Sequence, residues 1–243
     1  MNGEAVTEIA RLVQTPALVT AGGREWVTMP DGWTMADPSK AEPRPDFLAL
    51  HTLTGVVDYV VANRDGLVLQ SVMLHVCGPR VVHVLSQLQP LAVRFRYVEA
   101  TVTADDFRFG QFYDTESFVV ALQSLFEPSE ERAALLALVG NIRDSKVSMF
   151  DDDGITQTVT AKQGVALSQL VKAPNPITLR PYRTFREVEQ PASQFVFRLQ
   201  GKDGAQPACA LFEADGGRWR LRAVENIAAF LRGHVPDHVV VVA

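Results

Sequence analysis

The sequence predicts an α+β fold, mainly antiparallel β-sheet, with an αα-hairpin and a few short helices packed on it. Three observations lead there. From residue 145 onward, strand-like runs recur around turn formers such as Asp153-Gly154 and Asp215-Gly216-Gly217. Two helical runs, 115–126 and 128–139, meet across a joint at 127–129 short enough to make them antiparallel neighbours. Finally, 47% hydrophobic and 21% charged residues in a chain of 243 is an ordinary globular mix. A chain of this length buries roughly three quarters of its unfolded surface and needs no disulfide or metal to fold.

The elements follow in order. Residues 3–14 read as an amphipathic helix with Val6, Ile9, Ala10 and Val13 on one face, stopped at Thr15-Pro16. A strand pair is expected at 17–20 and 25–29 around Gly22-Gly23. Pro30, Pro38, Pro43 and Pro45 exclude a helix and leave an extended arm over 30–45. Asp46 is placed to cap a helix that carries Phe47, Leu50, Thr54, Val57 and Val61 on one face. Strands follow at 67–76, 81–86 and 92–103, the last with Arg94 and Arg96 opposite Val93, Phe95 and Tyr97. In the helical pair, Phe118, Leu122 and Phe126 form one stripe and Leu135, Leu138 and Val139 the other, with Gly140-Asn141 as the stop. Beyond it, strands are expected at 146–150, 155–162, 164–172, 177–185, 194–200, 208–214 and 218–224, then a short helix at 225–232 and a last apolar strand at 238–242. The change from helical to β structure near 141–145 divides the chain into 1–143, an α+β part with the Pro-rich arm, and 144–243, a β-rich part, unless both form one continuous domain.

Bulk properties narrow the function. A net charge of −5 argues against a binder that grips nucleic-acid backbones over its whole surface, though not against a local basic strip. No run approaches the ~18–20 apolar residues of a membrane helix, and Glu4 and Glu8 do not suit a signal peptide. Cys77 and Cys209, the only cysteines, form no disulfide framework, so a reducing, cytoplasmic setting is expected.

Candidate sites come from the basic residues. Arg218, Arg220 and Arg222 alternate in RWRLR and, on a strand, would share one face opposite Trp219 and Leu221. Arg180 and Arg183, with Tyr182 between them, repeat the mixture of cations and aromatics with which single-strand binders track phosphates and stack bases. Alternation alone predicts only a half-buried strand, and Glu187, Glu189 and Glu213 lie near enough in sequence to pair with these arginines. His75, Cys77 and His83 share one hairpin. An odd-numbered loop would put the histidines face to face with Cys77 on the same side; a loop of two or four residues would put them on opposite faces. Their spacing follows no common zinc pattern, and a solvated hairpin tip accounts for Asp151–Asp153. There is no phosphate-cradling glycine loop and no G-x-S-x-G, and neither His234 nor His238 lies near a nucleophile motif, so no catalytic residue, cofactor or metal is expected.

Three segments carry a family resemblance: LLALVGNIRDSKVSMFDDDGITQTVTAKQGV (135–165), NPITLRPYRTFREVEQPASQFVFRLQ (175–200) and ALFEADGGRWRLRAVENIAAFL (210–231). Together they resemble the prophage family typified by YfdQ, found among early, non-virion genes of tailed phages. The likeness covers roughly the last hundred residues well and 47–102 loosely. It implies a phage origin, a location in the host cytoplasm and an accessory role, and it transfers no active site. The expectation is therefore a non-enzymatic phage accessory protein that forms homo-oligomers, a ring or shell included, and binds a partner. The apolar strand at 238–242 invites pairing unless another element covers it. The alternatives are a single-stranded nucleic-acid binder using Arg180, Tyr182, Arg183, Arg218, Arg220 and Arg222, a binder of a host protein, and a protein that sequesters a small molecule against host defence.

Overall fold

A computed structural model describes residues 46–88, 94–103, 105–141, 175–200 and 207–243 with their side chains, and the backbone alone of 17–21, 24–28, 35–36, 142–143, 146–152, 157–162 and 168–172. The chain divides after Asp46 into two compact units. The first holds an antiparallel meander of β1 (Ala17–Ala21), β2 (Arg24–Thr28) and β3 (Met35–Ala36). The expected strand pair is present, with Ala17 opposite Thr28 and Ala21 opposite Arg24; Gly22-Gly23 lies outside the described residues. The helix expected at 3–14 and all of the 30–45 arm except β3 lie outside the described residues.

The second unit, Phe47–Ala243, contains three sheets, two of which carry separate cores among the described residues. The five-stranded sheet consists of β4 (Leu48–Leu50), β5 (Val72–Gly78), β6 (Val81–Ser86), β7 (Arg96–Thr101) and β15 (Val240–Val242), in the order β15-β5-β6-β7-β4. Its centre is an antiparallel meander, and β15 and β4 join as parallel strands on β5 and β7. Helices α1 (Leu53–Ala62) and α4 (Trp219–His234) contribute to the core on one face, where Val56, Val60, Ile227 and Leu231 pack with Leu74, Val82, Val84 and Val98. Strand alternation turns Met73, His75, His83 and Glu99 to the other face.

The four-stranded sheet has the order β12-β13-β14-β8, from β8 (Tyr113–Asp114), β12 (Ile177–Leu179), β13 (Ser193–Gln200) and β14 (Ala208–Glu213). Phe195, Phe197 and Leu199 of β13 point inward against Phe118, Leu122 and Phe126 from α2 (Thr115–Leu125) and its end, and Leu135 from α3 (Glu130–Arg143). The two helices form the expected αα-hairpin, with the Asp114 side chain accepting from the Ser117 N–H at 2.9 Å as N-cap. Asn175 pins β13 from outside the ladder, its amide accepting from the Phe197 N–H at 2.7 Å and donating to the Phe197 carbonyl at 3.1 Å. A third, antiparallel sheet joins β9 (Lys146–Asp152), β10 (Gln157–Lys162) and β11 (Ser168–Lys172). The α+β class, mainly antiparallel, is as expected.

Four local expectations are corrected. Residues 48–50 form β4 rather than the start of a helix, and Thr52, not Asp46, caps α1 by accepting from the Gly55 N–H. Helix α3 runs past Gly140-Asn141 to Arg143. The strand at 177 stops at Leu179, because Pro181 has no N–H to continue the ladder. Most consequentially, 218–224 is not a strand: Arg218 is the N-cap position of α4 and the rest is helix. Trp219, Ala223, Ile227 and Leu231 follow at i+4 spacing and are all buried, while Leu221 is 64% exposed. The two-residue alternation in RWRLR is thus a short coincidence inside a longer helical period. Nor does the expected boundary at 143/144 divide the fold, since α4 and β15, from the end of the chain, complete the β5–β7 sheet.

Candidate functional site

The candidate arginines do not form one strip. Arg183 is 4% exposed and lies inside the protein. Its Nη1 donates to Glu213 Oε1 at 2.5 Å, its Nη2 donates to Ser193 Oγ, and its guanidinium lies over the Trp219 ring at 4.0 Å. The loop holding it is closed by Gln190, itself buried, whose Oε1 accepts from the N–H groups of Arg183 and Thr184 and whose Nε2 donates to the carbonyls of Phe185 and Val188. Burial, the first cause, pushes the Arg183 pKa down to about 10 although Glu213 and Asp215 oppose the shift. Arg183 is still charged at neutral pH, but as a buried ion.

The other arginines are distributed around it. Arg180 donates to Glu189 at 2.6 Å. Tyr182 has its ring under the Arg186 guanidinium at 3.6 Å, and its backbone N–H donates to the Leu125 carbonyl at 2.8 Å. On α4, Arg218 and Arg222 lie four residues apart and so on one side, while Arg220 is turned away over Trp219 at 5.1 Å. Arg222 donates to Glu225 at 3.2 Å. Arg218 and Arg222 line a groove of about 980 Å³ beside β13 and the N-terminus of α4, but Glu189, Asp215 and Glu225 line it too, so it is not a basic channel. Pairing of Arg180 with Glu189 and Arg183 with Glu213 matches the default reading of these charges, whereas Glu187 does something else. Its Oε1 accepts from the N–H groups of Leu53 at 2.7 Å and Thr54 at 3.3 Å, placing a carboxylate at the positive end of α1.

The β5–β6 hairpin holds a different cluster. The two-residue turn Pro79-Arg80 would place His75 and His83 on opposite faces. A bulge between Val76 and Gly78 makes Cys77 the extra residue, restores His75 directly opposite His83, and leaves Cys77 exposed on their side. Cys77 Sγ lies 3.4 Å from His75 Nδ1 and 3.2 Å from His83 Nδ1. His83 Nε2 faces Glu99 Oε2 at 3.2 Å, across the β6–β7 register that pairs these two residues, and Arg96 holds the same carboxylate oxygen. Burial first, then Glu99, pushes the Cys77 thiol up; burial first, then Arg96, holds His83 below its ordinary value.

The hairpin tip is anchored to the arginine segment. Arg80 grips Asp106 through both terminal nitrogens, and its Nε donates to the Arg183 carbonyl at 3.1 Å. Thr184 Oγ1 donates to the Pro79 carbonyl. The position of the His/Cys cluster is therefore set by rigid strands and a tethered turn. The other three histidines stand apart: His51 Nδ1 is 3.1 Å from the Thr101 carbonyl, His234 stacks on Phe230 at 4.3 Å, and exposed His238 precedes β15. The side chains of Asp151–Asp153 lie outside the described residues. No helix among the described residues is long and apolar enough to cross a membrane. No family model, curated protein or solved structure matches the chain.

Proposed function

We propose that this is a non-enzymatic, phage-encoded accessory protein that assembles with copies of itself and binds a partner in the cytoplasm of the host cell. The observation that carries the reading is the five-stranded sheet. It ends on both sides in a short strand whose outer edge pairs with no strand among the described residues. Both edges are apolar: Val240 is 54% exposed, Val242 41% and Leu48 48%. Such edges recruit further strands unless they are covered.

Topology favours the way copies join. Strand β15 is parallel to β5, β4 is parallel to β7, and β5 and β7 are both antiparallel to β6. The two free edges therefore run in the same direction. One copy's β15 can continue the next copy's sheet at β4 as a parallel pair, a heterologous contact that closes into a ring when the rotation between copies permits. Pairing of β15 with itself would be antiparallel and would stop at a dimer. The resemblance of 135–165, 175–200 and 210–231 to the YfdQ-like prophage family supports the phage origin and the compartment.

Light scattering coupled to gel filtration tests this. The expected result is a discrete assembly larger than a dimer, reduced to single chains by Val240→Lys with Val242→Lys. A wild-type monomer of 26.7 kDa at micromolar concentration refutes the reading, and a dimer refutes its head-to-tail geometry. Single-stranded nucleic acid draws less support as the partner, because Arg183 is buried and Arg180 and Arg222 already hold carboxylates.

A further inference from the structure

The geometry points to His75, Cys77 and His83 as a binding site for one zinc(II) ion, with a fourth coordination position open. The site needs no part of the assembly proposed above. Zinc takes nitrogen and sulfur ligands tetrahedrally, at about 2.0–2.1 Å from nitrogen and about 2.3 Å from sulfur. Those bond lengths require nitrogen–sulfur separations of about 3.6 Å around the ion. The two separations here are 3.4 Å and 3.2 Å, and the three candidate ligand atoms all lie within 4.8 Å of one another. Small rotations of side chains at an accessible surface are enough to reach tetrahedral spacing.

Three further observations support a built site. The donors sit on adjacent antiparallel strands rather than on a loop, and the Cys77 bulge is the feature that brings the thiol and both imidazoles to one side. Both imidazoles turn Nδ1 toward the sulfur. Finally, His83 presents its other nitrogen to Glu99 Oε2 at 3.2 Å. A carboxylate on the far side of a ligating histidine sets the tautomer, here with the proton on Nε2 and the Nδ1 lone pair free, and raises the basicity of the ligand. Arg96 fixes that carboxylate in turn.

On binding, the Cys77 S–H bond is replaced by S–Zn, the proton passes to solvent, and two imidazole nitrogens displace water from the ion. Three protein ligands leave one position for water, an anion or a side chain of another molecule. The mixture of one thiolate and two imidazoles suits zinc over magnesium or calcium, which prefer oxygen donors.

The test uses the untagged full-length chain and cobalt(II) as a spectroscopic substitute, followed by zinc. One equivalent of cobalt per chain should give the intense near-ultraviolet band of thiolate-to-metal charge transfer together with tetrahedral visible bands, and zinc should displace both. Cys77→Ser should abolish the charge-transfer band, and His75→Ala and His83→Ala should each weaken binding at least tenfold. Glu99→Gln should keep the band and the stoichiometry while weakening affinity about 10–100-fold. Circular dichroism of every variant verifies the fold. Binding without the thiolate band, binding unchanged in Cys77→Ser, or no stoichiometric binding by the folded wild type overturns the assignment.

Discussion

Replacing Glu213 should cost more than replacing the arginine it holds. Arg183 is a buried ion whose partner, Glu213, is 31% exposed along its side chain. In Glu213→Ala the guanidinium stays buried with its charge uncompensated, which costs about 3–5 kcal/mol in comparable buried pairs. Arg183→Met removes the charge and keeps much of the stem packing. It forfeits the bond to Glu213, about 1.5–3 kcal/mol, and the contact over Trp219, about 2 kcal/mol. Against this, burial pushes the Arg183 pKa down to about 10, and removing the charge relieves a desolvation penalty of several kcal/mol. Glu213, partly in water, can rehydrate. The net expectation is about 0–2 kcal/mol for Arg183→Met and about 3 kcal/mol or more for Glu213→Ala. Urea unfolding followed by circular dichroism gives both values from midpoint and slope. The reverse order, or two changes below about 0.5 kcal/mol, would refute the buried-ion account. It would also reopen Arg183 as a ligand-binding residue.

Leu221→Ala should change stability by no more than about 0.5 kcal/mol, whereas Ile227→Ala should cost about 2–5 kcal/mol; equal effects would contradict α4. Asp106→Asn tests the clamp on the hairpin turn. The hydrogen bonds from Arg80 come first in holding the Asp106 pKa below 3.8, so the stabilisation is present above that pH and is lost as pH falls through the folded value. The variant should be less stable than wild type at pH 7, by about 1 kcal/mol or less for so exposed a pair, and unfolding curves should converge well below pH 3.8. With a thiol-alkylating reagent, native protein should label at exposed Cys77 alone. Cys209, buried and with its pKa pushed up to about 12, chiefly by burial, should label only on unfolding, as mass spectrometry of peptides would show.

Local chemistry was largely legible. The αα-hairpin follows from two apolar stripes and a three-residue joint. The strand expected at 194–200 is β13, with Phe195, Phe197 and Leu199 alternating onto the buried face. The pairing of Arg180 and Arg183 with Glu189 and Glu213 was legible as well. The error at 218–224 arose where two periods compete: five residues alternate, but the buried positions at 219, 223, 227 and 231 show the longer period only over thirteen residues.

Other features depend on contacts between distant parts of the chain. Glu187 lies 134 residues from the helix end it caps, and β15 reaches its partner β5 from the opposite end of the unit. The sequence by itself determined the fold class and most strand and helix positions, because side-chain periodicity and turn chemistry act over a few residues. Only the tertiary structure decided that Arg183 is interior and that His75, Cys77 and His83 converge. Burial depends on what packs from elsewhere, and one bulged residue reverses which face every following side chain occupies.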